Sequence, residues 1–302
     1  MIKIVLLIVC ILSGFLLKQT KWFDDRSAII LNNLIIYFFI PVLTLYHVPQ
    51  IEFQTSLLWL SVTPFIVYTG SFIFIRFFAK FSPMDRDTEG ALIMCSGIGS
   101  ISFVGFPIFE LLYGAEGLSY GIVLSLAGTF LVFNTIGIFT GLFYSGAEQN
   151  PKQLFKKIIS FPPLIAFLVA LTINITPLQL GEEVNWILSK LAAPFSVLAL
   201  LAIGMQIDFS IDRTFLKHLM IGQFFKLVIA PCIIYLLLWH IVGLRDTVAK
   251  ICLLGAAIGS MNAISILAAQ MGLNPKLASL MPAIGIPLSV PILFIIDLLL
   301  KA

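Results

Sequence analysis

The sequence predicts an all-α polytopic membrane protein with ten transmembrane helices arranged as two inverted five-helix repeats, helices 4 and 9 being broken. Three observations predict it. Apolar residues make up 60% of the 302 residues, charged residues 11%, and mean hydropathy is +1.07. A soluble domain carries roughly 25% charged residues to wet its surface, so lipid must serve here as part of the solvent. Ten apolar runs have the length of a membrane crossing, and short sequence signatures recur five runs apart. The composition excludes a soluble enzyme, a secreted disulfide scaffold, a nucleic-acid binder and a disordered tail.

A bilayer core about 30 Å thick takes about 20 apolar residues at about 1.5 Å each. Such runs cover 2–17, 28–48, 56–79, 90–112, 118–144, 158–176, 187–207, 216–240, 248–271 and 277–300. The first could be read as a cleaved leader. Only Lys3 precedes it, however, and it ends in Gly14-Phe15-Leu16-Leu17-Lys18 with no small-residue cleavage pattern, so it is read as a helix. Cys10, Cys95, Cys232 and Cys252 lie inside apolar runs without CxxC spacing and read as small hydrophobes. His47, His218 and His240 fall near run ends and read as interfacial residues.

Orientation follows the basic residues. Twelve fall on one side: Lys18, Lys21, Arg26, Arg76, Lys80, Arg86, Lys152, Lys156, Lys157, Arg213, Lys217 and Lys276. Four fall on the other: Lys3, Arg245, Lys250 and Lys301, while Lys190 and Lys226 lie within runs. The richer face is assigned to the cytoplasm, which leaves both termini outside the plasma membrane.

The repeat is read from paired signatures. Pro64-Phe65-Ile66-Val67-Tyr68 in run 3 is matched 167 residues later by Pro231-Cys232-Ile233-Ile234-Tyr235 in run 8. Ile98-Gly99-Ser100 in run 4 returns 160 residues later as Ile258-Gly259-Ser260 in run 9. Runs 2 and 7 each carry a central proline, Pro41 and Pro194. Five being odd, the second copy enters from the opposite face. The repeats are drawn over 1–144 and 158–302, with a cytoplasmic linker over 145–157. Inverted repeats place a polar site at the bilayer midplane in transporters.

Run 4 from Ala91 to Pro107 contains three glycines, three serines and a proline. Glycine costs up to about 1 kcal/mol against alanine inside a helix, and an interior proline about 3. Freed backbone groups survive at membrane depth only when buried in protein or lining a wet cavity. Run 9, with Gly255, Gly259, Ser260, Asn262 and Ser265, repeats the pattern without a proline. The stubs of a broken helix offer free N–H groups at one end and free carbonyls at the other. The expected substrate-binding residues are therefore Ser100, Ser102, Gly105, Pro107, Gly259, Ser260, Asn262 and Ser265. Close packing of small residues is the competing account of the glycines.

Lys226 stands ten residues into run 8, roughly 15 Å deep, and Gln223 lies one turn away on the same face. A midplane lysine is costly and marks function by default. With no evident partner, it suits an anionic substrate or a proton released during a cycle; snorkelling to the cytoplasmic edge is the alternative. Gln223 and Asn134 are read as lining the cavity or taking part in coupling. No catalytic, metal-binding or ATP-binding motif is present in the sequence, which points away from an enzyme and an ATP-driven pump.

Three stretches resemble the auxin efflux carrier family. Phe103-Val104-Gly105-Phe106-Pro107 followed by Tyr113-Gly114-Ala115-Glu116-Gly117-Leu118 is similar to the family's F-I-G-x-P…YG-x-EG-L run. Leu198-Ala199 through Gly204-Met205-Gln206 is similar to its L-A-x-x-x-x-G-x-Q, and Asn32-Asn33-Leu34 leads to Pro41 in run 2. Family members often carry Asn where this chain has Ser100, and M-P where it has Met261-Asn262. The resemblance implies a fold like that of the bile-acid sodium symporters, in which helices 4 and 9 cross where they unwind, with helices 1, 2, 6 and 7 as scaffold and helices 3–5 and 8–10 as an elevator-type transport domain. It also implies organic-anion substrates, with or without coupling to Na+ or H+. The reading is a secondary-active permease for a small organic anion such as a carboxylate, without a cofactor, capable of dimerising through scaffold helices. A ligand-binding membrane sensor or scaffold on the same fold is the alternative.

Overall fold

The computed structural model describes residues 2–20, 22–23, 25–52, 54–146, 156, 159–176, 180–206 and 215–301. Most of the linker drawn over 145–157 falls outside them, as do the side chains of Lys3, Lys21, Arg26, Lys152, Lys157 and Arg213 used to orient the chain. The described chain is helical: α1 (Ile2–Lys18), α2 (Ser27–Gln50), α3 (Thr55–Phe81), α4 (Arg86–Gly97), α5 (Ile101–Ser145), α6 (Pro162–Ile175), α7 (Glu182–Gln206), α8 (Leu216–Val242), α9 (Thr247–Ala256), α10 (Asn262–Gln270) and α11 (Pro275–Lys301). Among the described residues, α2, α3, α5, α7, α8 and α11 are long and apolar enough to cross a membrane. Shorter apolar helices lie in α1, α6 and α9.

Prolines shape several of these helices in one recurrent way. Wide, five-residue turns at Ile35–Phe39, Ile101–Gly105 and Phe225–Ile229 each precede a proline by two residues: Pro41, Pro107 and Pro231. A proline ring collides with the carbonyl one turn back and offers no N–H. Widening the preceding turn relieves that collision while the helix continues.

The 45 residues of α5 would reach about 68 Å if straight, twice a bilayer core. Gly114 interrupts them with φ 66° and ψ −152°, a backbone state reserved almost wholly for glycine. A Cβ on Gly117 would sit 2.6 Å from the Phe109 carbonyl oxygen, and one on Gly121 would sit 2.6 Å from the Phe109 ring. The YG-x-EG-L signature is thus the chemistry of a tight corner.

The chain divides into two compact units. The first, Met1–Gln54, Ser102–Ile122 and Asn150–Ile207, holds α1, α2, the first limb of α5, α6 and α7. Within it α1 crosses α7 at two glycines. A Cβ on Gly14 would lie 2.1 Å from the Leu201 carbonyl oxygen, and one on Gly204 would lie 2.1 Å from that of Ile11. Small residues let membrane helices touch backbone to backbone, where dispersion is strongest. Two turns of sequence signature meet here as well, because the Gln206 amide donates to Asn32 Oδ1 at 3.1 Å. Asn174 donates to the carbonyls of Val48, Pro49 and Ile51 at 2.8–3.0 Å, satisfying the end of α2. Ser196 hydrogen-bonds Glu110.

The second unit, Thr55–Ile101, Val123–Gln149 and Asp208–Ala302, holds α3, α4, the second limb of α5 and α8–α11. Its core joins Tyr68, Leu92, Met94, Ile98, Ile264 and Met281, all at most 2% exposed. The starts of α4 and α9 are built alike: Asp85 accepts from the Thr88 N–H at 3.2 Å, and Asp246 from the Ala249 N–H at 2.9 Å. Glu89, in the first turn of α4, accepts from Tyr144 at 2.6 Å and pairs with Arg76 at 3.2 Å.

Two predictions follow from the glycines. Gly204→Ala should lower stability by about 1–3 kcal/mol through overpacking, seen as an earlier thermal transition of the detergent-solubilised protein. Gly114→Ala meets open space yet a forbidden backbone state, and should cost about 1–3 kcal/mol. An unchanged transition in Gly114→Ala would refute the corner assignment.

Candidate functional site

Within the second unit, two helices stop short and their chains pair. α4 ends at Gly97 and α9 at Ala256. Ile98–Ser100 and Gly259–Met261 then run past each other in opposite directions, with Gly99 opposite Ser260. Ser100 N–H donates to the Gly259 carbonyl at 2.9 Å, and Met261 N–H donates to the Ile98 carbonyl at 3.0 Å. Two strands of three residues thereby satisfy backbone groups that two broken helices would otherwise strand in an apolar interior. Beyond the pair the chain re-enters helix at Ile101 and at Asn262.

Both expected breaks are therefore present, including the one in run 9 that has no proline. The breaking element in run 4 differs from the expectation. Pro107 stands in continuous helical backbone seven residues beyond the pairing, where the wide turn 101–105 accommodates it. Glycine and close approach make the break instead. A Cβ on Gly259 would lie 2.4 Å from the Gly285 carbonyl carbon and oxygen, so α11 abuts the crossing backbone directly. On its other side Gly285 faces Gln223, whose Oε1 would stand 2.7 Å from a Cβ there.

Lys226 lies in the wide turn of α8 and is 1% exposed, which removes the snorkelling alternative. Its Nζ is 3.2 Å, and its Cε 3.4 Å, from the position a Cβ on Gly99 would take. The amino group thus rests on the crossing backbone, and a side chain at Gly99 would press on it and on the Ile258 carbonyl. No carboxylate or hydrogen-bonding partner for it occurs among the described residues. Gln223 donates to the Met281 carbonyl at 2.7 Å, while its Oε1 has no partner. Ser260 Oγ and Ser96 Oγ are also buried without partners. Lys226, Thr63, Pro64, Gly97, Gly99 and Gly255 contribute to the wall of a cavity of about 10 Å³, the space of a single water molecule.

The electrostatics of this arrangement are unbalanced. The carboxyl-terminal ends of α4 and α9 carry partial negative charge, which favours a nearby cation by about 0.3–1 kcal/mol, and up to about 2 in partly buried geometry. Removing an ammonium from water costs several kcal/mol even after relaxation. The helix ends offset a minority of that cost. What the arrangement can do chemically is hold an anionic group against Lys226, with the amino-terminal ends at Ile101 and Asn262 adding N–H dipoles.

Of the residues expected from sequence, Ser100, Gly259, Ser260, Lys226 and Gln223 converge at the crossing. Asn262 opens α10 next to it and is half-buried. Ser265 is turned away and donates to the Ala278 carbonyl at 2.5 Å. Asn134 donates to the Phe130 carbonyl of its own helix at 2.8 Å. Ser102, Gly105 and Pro107 follow the crossing on the first limb of α5, assigned to the other unit. Missed altogether were Gly97, against which the Tyr68 ring packs, and the Met281–Gly285 stretch of α11. Run 8's proline signature did point at α3's Pro64, yet as a repeat mark rather than a cavity wall.

Comparison with known proteins agrees with this picture. A protein of Methanothermobacter thermautotrophicus named as an uncharacterized transporter is 24% identical over 274 residues, 90% of this chain and 89% of the relative. One of Methanocaldococcus jannaschii, named likewise, is 22% identical over 255 residues, 81% of this chain and 82% of the relative. Residues 1–296 match the family described as "Membrane transport protein". A helical chain of lipid-demanding composition, with two membrane helices interrupted and paired in mid-course, is thus a member of that family, the auxin efflux carriers, and an integral membrane transporter rather than an enzyme.

Proposed function

We propose that the protein is a secondary-active transporter of a small organic anion, such as a carboxylate, and that Lys226 is the counter-charge that receives it. The single observation carrying this reading is a fully buried lysine amino group, unpaired among the described residues, lying on interrupted backbone. Membrane interiors tolerate such a charge where it serves a substrate or ion path.

The topology we assign is ten crossings in two inverted repeats. Support comes from the like construction of α4 and α9: an aspartate cap at the start, a glycine-flanked break, and mutual pairing. On this assignment α4 with the first limb of α5 makes one crossing, and α9 with α10 another. The cycle we propose is of elevator type: helices 1, 2, 6 and 7 as scaffold, helices 3–5 and 8–10 as the moving domain. The division into units supports it for most helices, since α1, α2, α6 and α7 share one unit and α3, α4 and α8–α11 the other, while residues 102–122 of α5 group with the first. The basic-residue count favours the plasma membrane with both termini outside, and a homodimer would form through the scaffold.

In liposomes containing the purified protein, pyruvate, succinate or indole-3-acetate should exchange across the membrane faster than in protein-free vesicles. Failure of all three under every imposed gradient would sink the anion reading. Deleting one partner of a buried charge pair costs about 3–5 kcal/mol, so Lys226→Met should reduce exchange at least about a hundredfold. Unchanged exchange in a folded Lys226→Met protein would remove Lys226 from the site.

A further inference from the structure

We infer that Lys226 couples transport to protons: the substrate anion and one proton bind together at the crossing, and sodium takes no part. The inference rests on the anion reading above and adds the identity of the coupling ion.

The argument is one of charge balance in a confined place. Lys226 is 1% exposed, and the cavity it faces has the volume of about one water molecule. Hydration cannot therefore stand in for a counter-ion. The lining side chains are apolar or hydroxylic, with no carboxylate among the described ones. Apart from Lys226, no charged side chain of the surrounding elements lines the cavity, among the described residues. Arg76 on α3 pairs with Glu89 on α4, and Asp297 pairs with Lys301 at the far end of α11. Asp246 caps α9, and Arg86 lies over the Phe143 and Tyr144 rings of α5. Tyr68 and Cys252 are buried near the middle of α3 and α9, and Cys95 is buried two residues before the end of α4. Lys217 and His218 open α8, and His240 lies near its other end. Lys250 and Lys276 fall in the first turns of α9 and α11.

Two states of this pocket are then electrically balanced. In one, Lys226 is a neutral amine and the pocket holds no anion. In the other, the pocket has opened to one aqueous side, the amine has taken a proton from that side, and the resulting ammonium holds the carboxylate in the widened space. The step is a protonation followed by ion pairing: Lys–NH2, H+ and R–COO− give Lys–NH3+ paired with R–COO−. Release on the opposite side reverses it and returns one proton to the solution. An ammonium without a carboxylate, or a carboxylate without an ammonium, is the unbalanced state that the dry setting disfavours. Binding of proton and anion is therefore mutually favourable, as linkage requires. Among the described residues no carboxylate lines this cavity to hold a metal cation, and the Lys226 amine is the basic group there.

The test uses the full-length protein in liposomes with pyruvate as probe, corrected for protein-free vesicles. At equal pH on both sides, preloaded pyruvate should drive exchange of external labelled pyruvate. With the exterior acidic, net accumulation should rise about tenfold for each unit of imposed pH difference, and replacing sodium by choline should change nothing. Lys226→Arg is the separating variant, because a guanidinium holds an anion but does not release its proton. It should keep exchange and lose acid-driven accumulation, whereas Lys226→Met should lose both. Acid-driven accumulation surviving in Lys226→Arg, or accumulation that requires sodium, would overturn the inference while leaving anion transport standing. Absence of exchange for pyruvate, succinate and indole-3-acetate alike would overturn both. Should Lys226→Arg fail to fold, a pH-indicator titration of the solubilised native protein decides the matter. Saturating pyruvate should draw about one proton per protein molecule from a weakly buffered solution, and no proton uptake on pyruvate binding would overturn the coupling.

Discussion

Two hydrogen bonds between Ile98–Ser100 and Gly259–Met261 close the crossing at which α4 and α9 stop. A peptide group without a partner is expensive wherever water is scarce, and a membrane helix normally avoids the problem by never stopping. This chain stops twice and resolves both interruptions with one another. Every other feature of the crossing depends on that pairing. The glycines let backbones approach, Gln223 and α11 close one side, and Lys226 lies across Gly99. The result is a polar patch made mainly of main chain, with one formal charge placed upon it.

Much of this was legible in the residues. Composition demanded lipid, and the helical stretches begin and end within a few residues of the expected runs for α3, α8 and α11. The repeated Ile-Gly-Ser triplets marked the two places where helix gives way, because glycine and serine next to each other weaken a helix whatever surrounds them. Lys226 and Gln223 were legible together, since their three-residue spacing puts both on one helix face.

What escaped was anything set by which helix packs on which. Pro107 looked like a breaker, yet a helix can widen one turn ahead of a proline and continue. Asn134 and Ser265 looked like lining groups, but short polar side chains readily bond a carbonyl of the same or an adjoining helix. Gly285 and Met281 carried no warning, because apolar periodicity does not reveal which neighbour an apolar face will meet. The Y-G-x-E-G signature led to the family and, in the structure, describes a bend; its glycines serve the path of the chain at Gly114, Gly117 and Gly121.

The meeting of Gly259 with Gly285 has a mechanical meaning. With 2.4 Å between the site of an absent methyl group and the facing peptide carbon, crossing strand and final helix are separated by hydrogen atoms alone. Gln223 presses on Gly285 from behind and is tied to Met281. Such a stack has no slack for sliding or bending at its centre. Within the second unit, α8, α11 and the paired segments therefore bear on one another as one block, and a methyl group added at Gly259 or Gly285 would have to wedge that block apart.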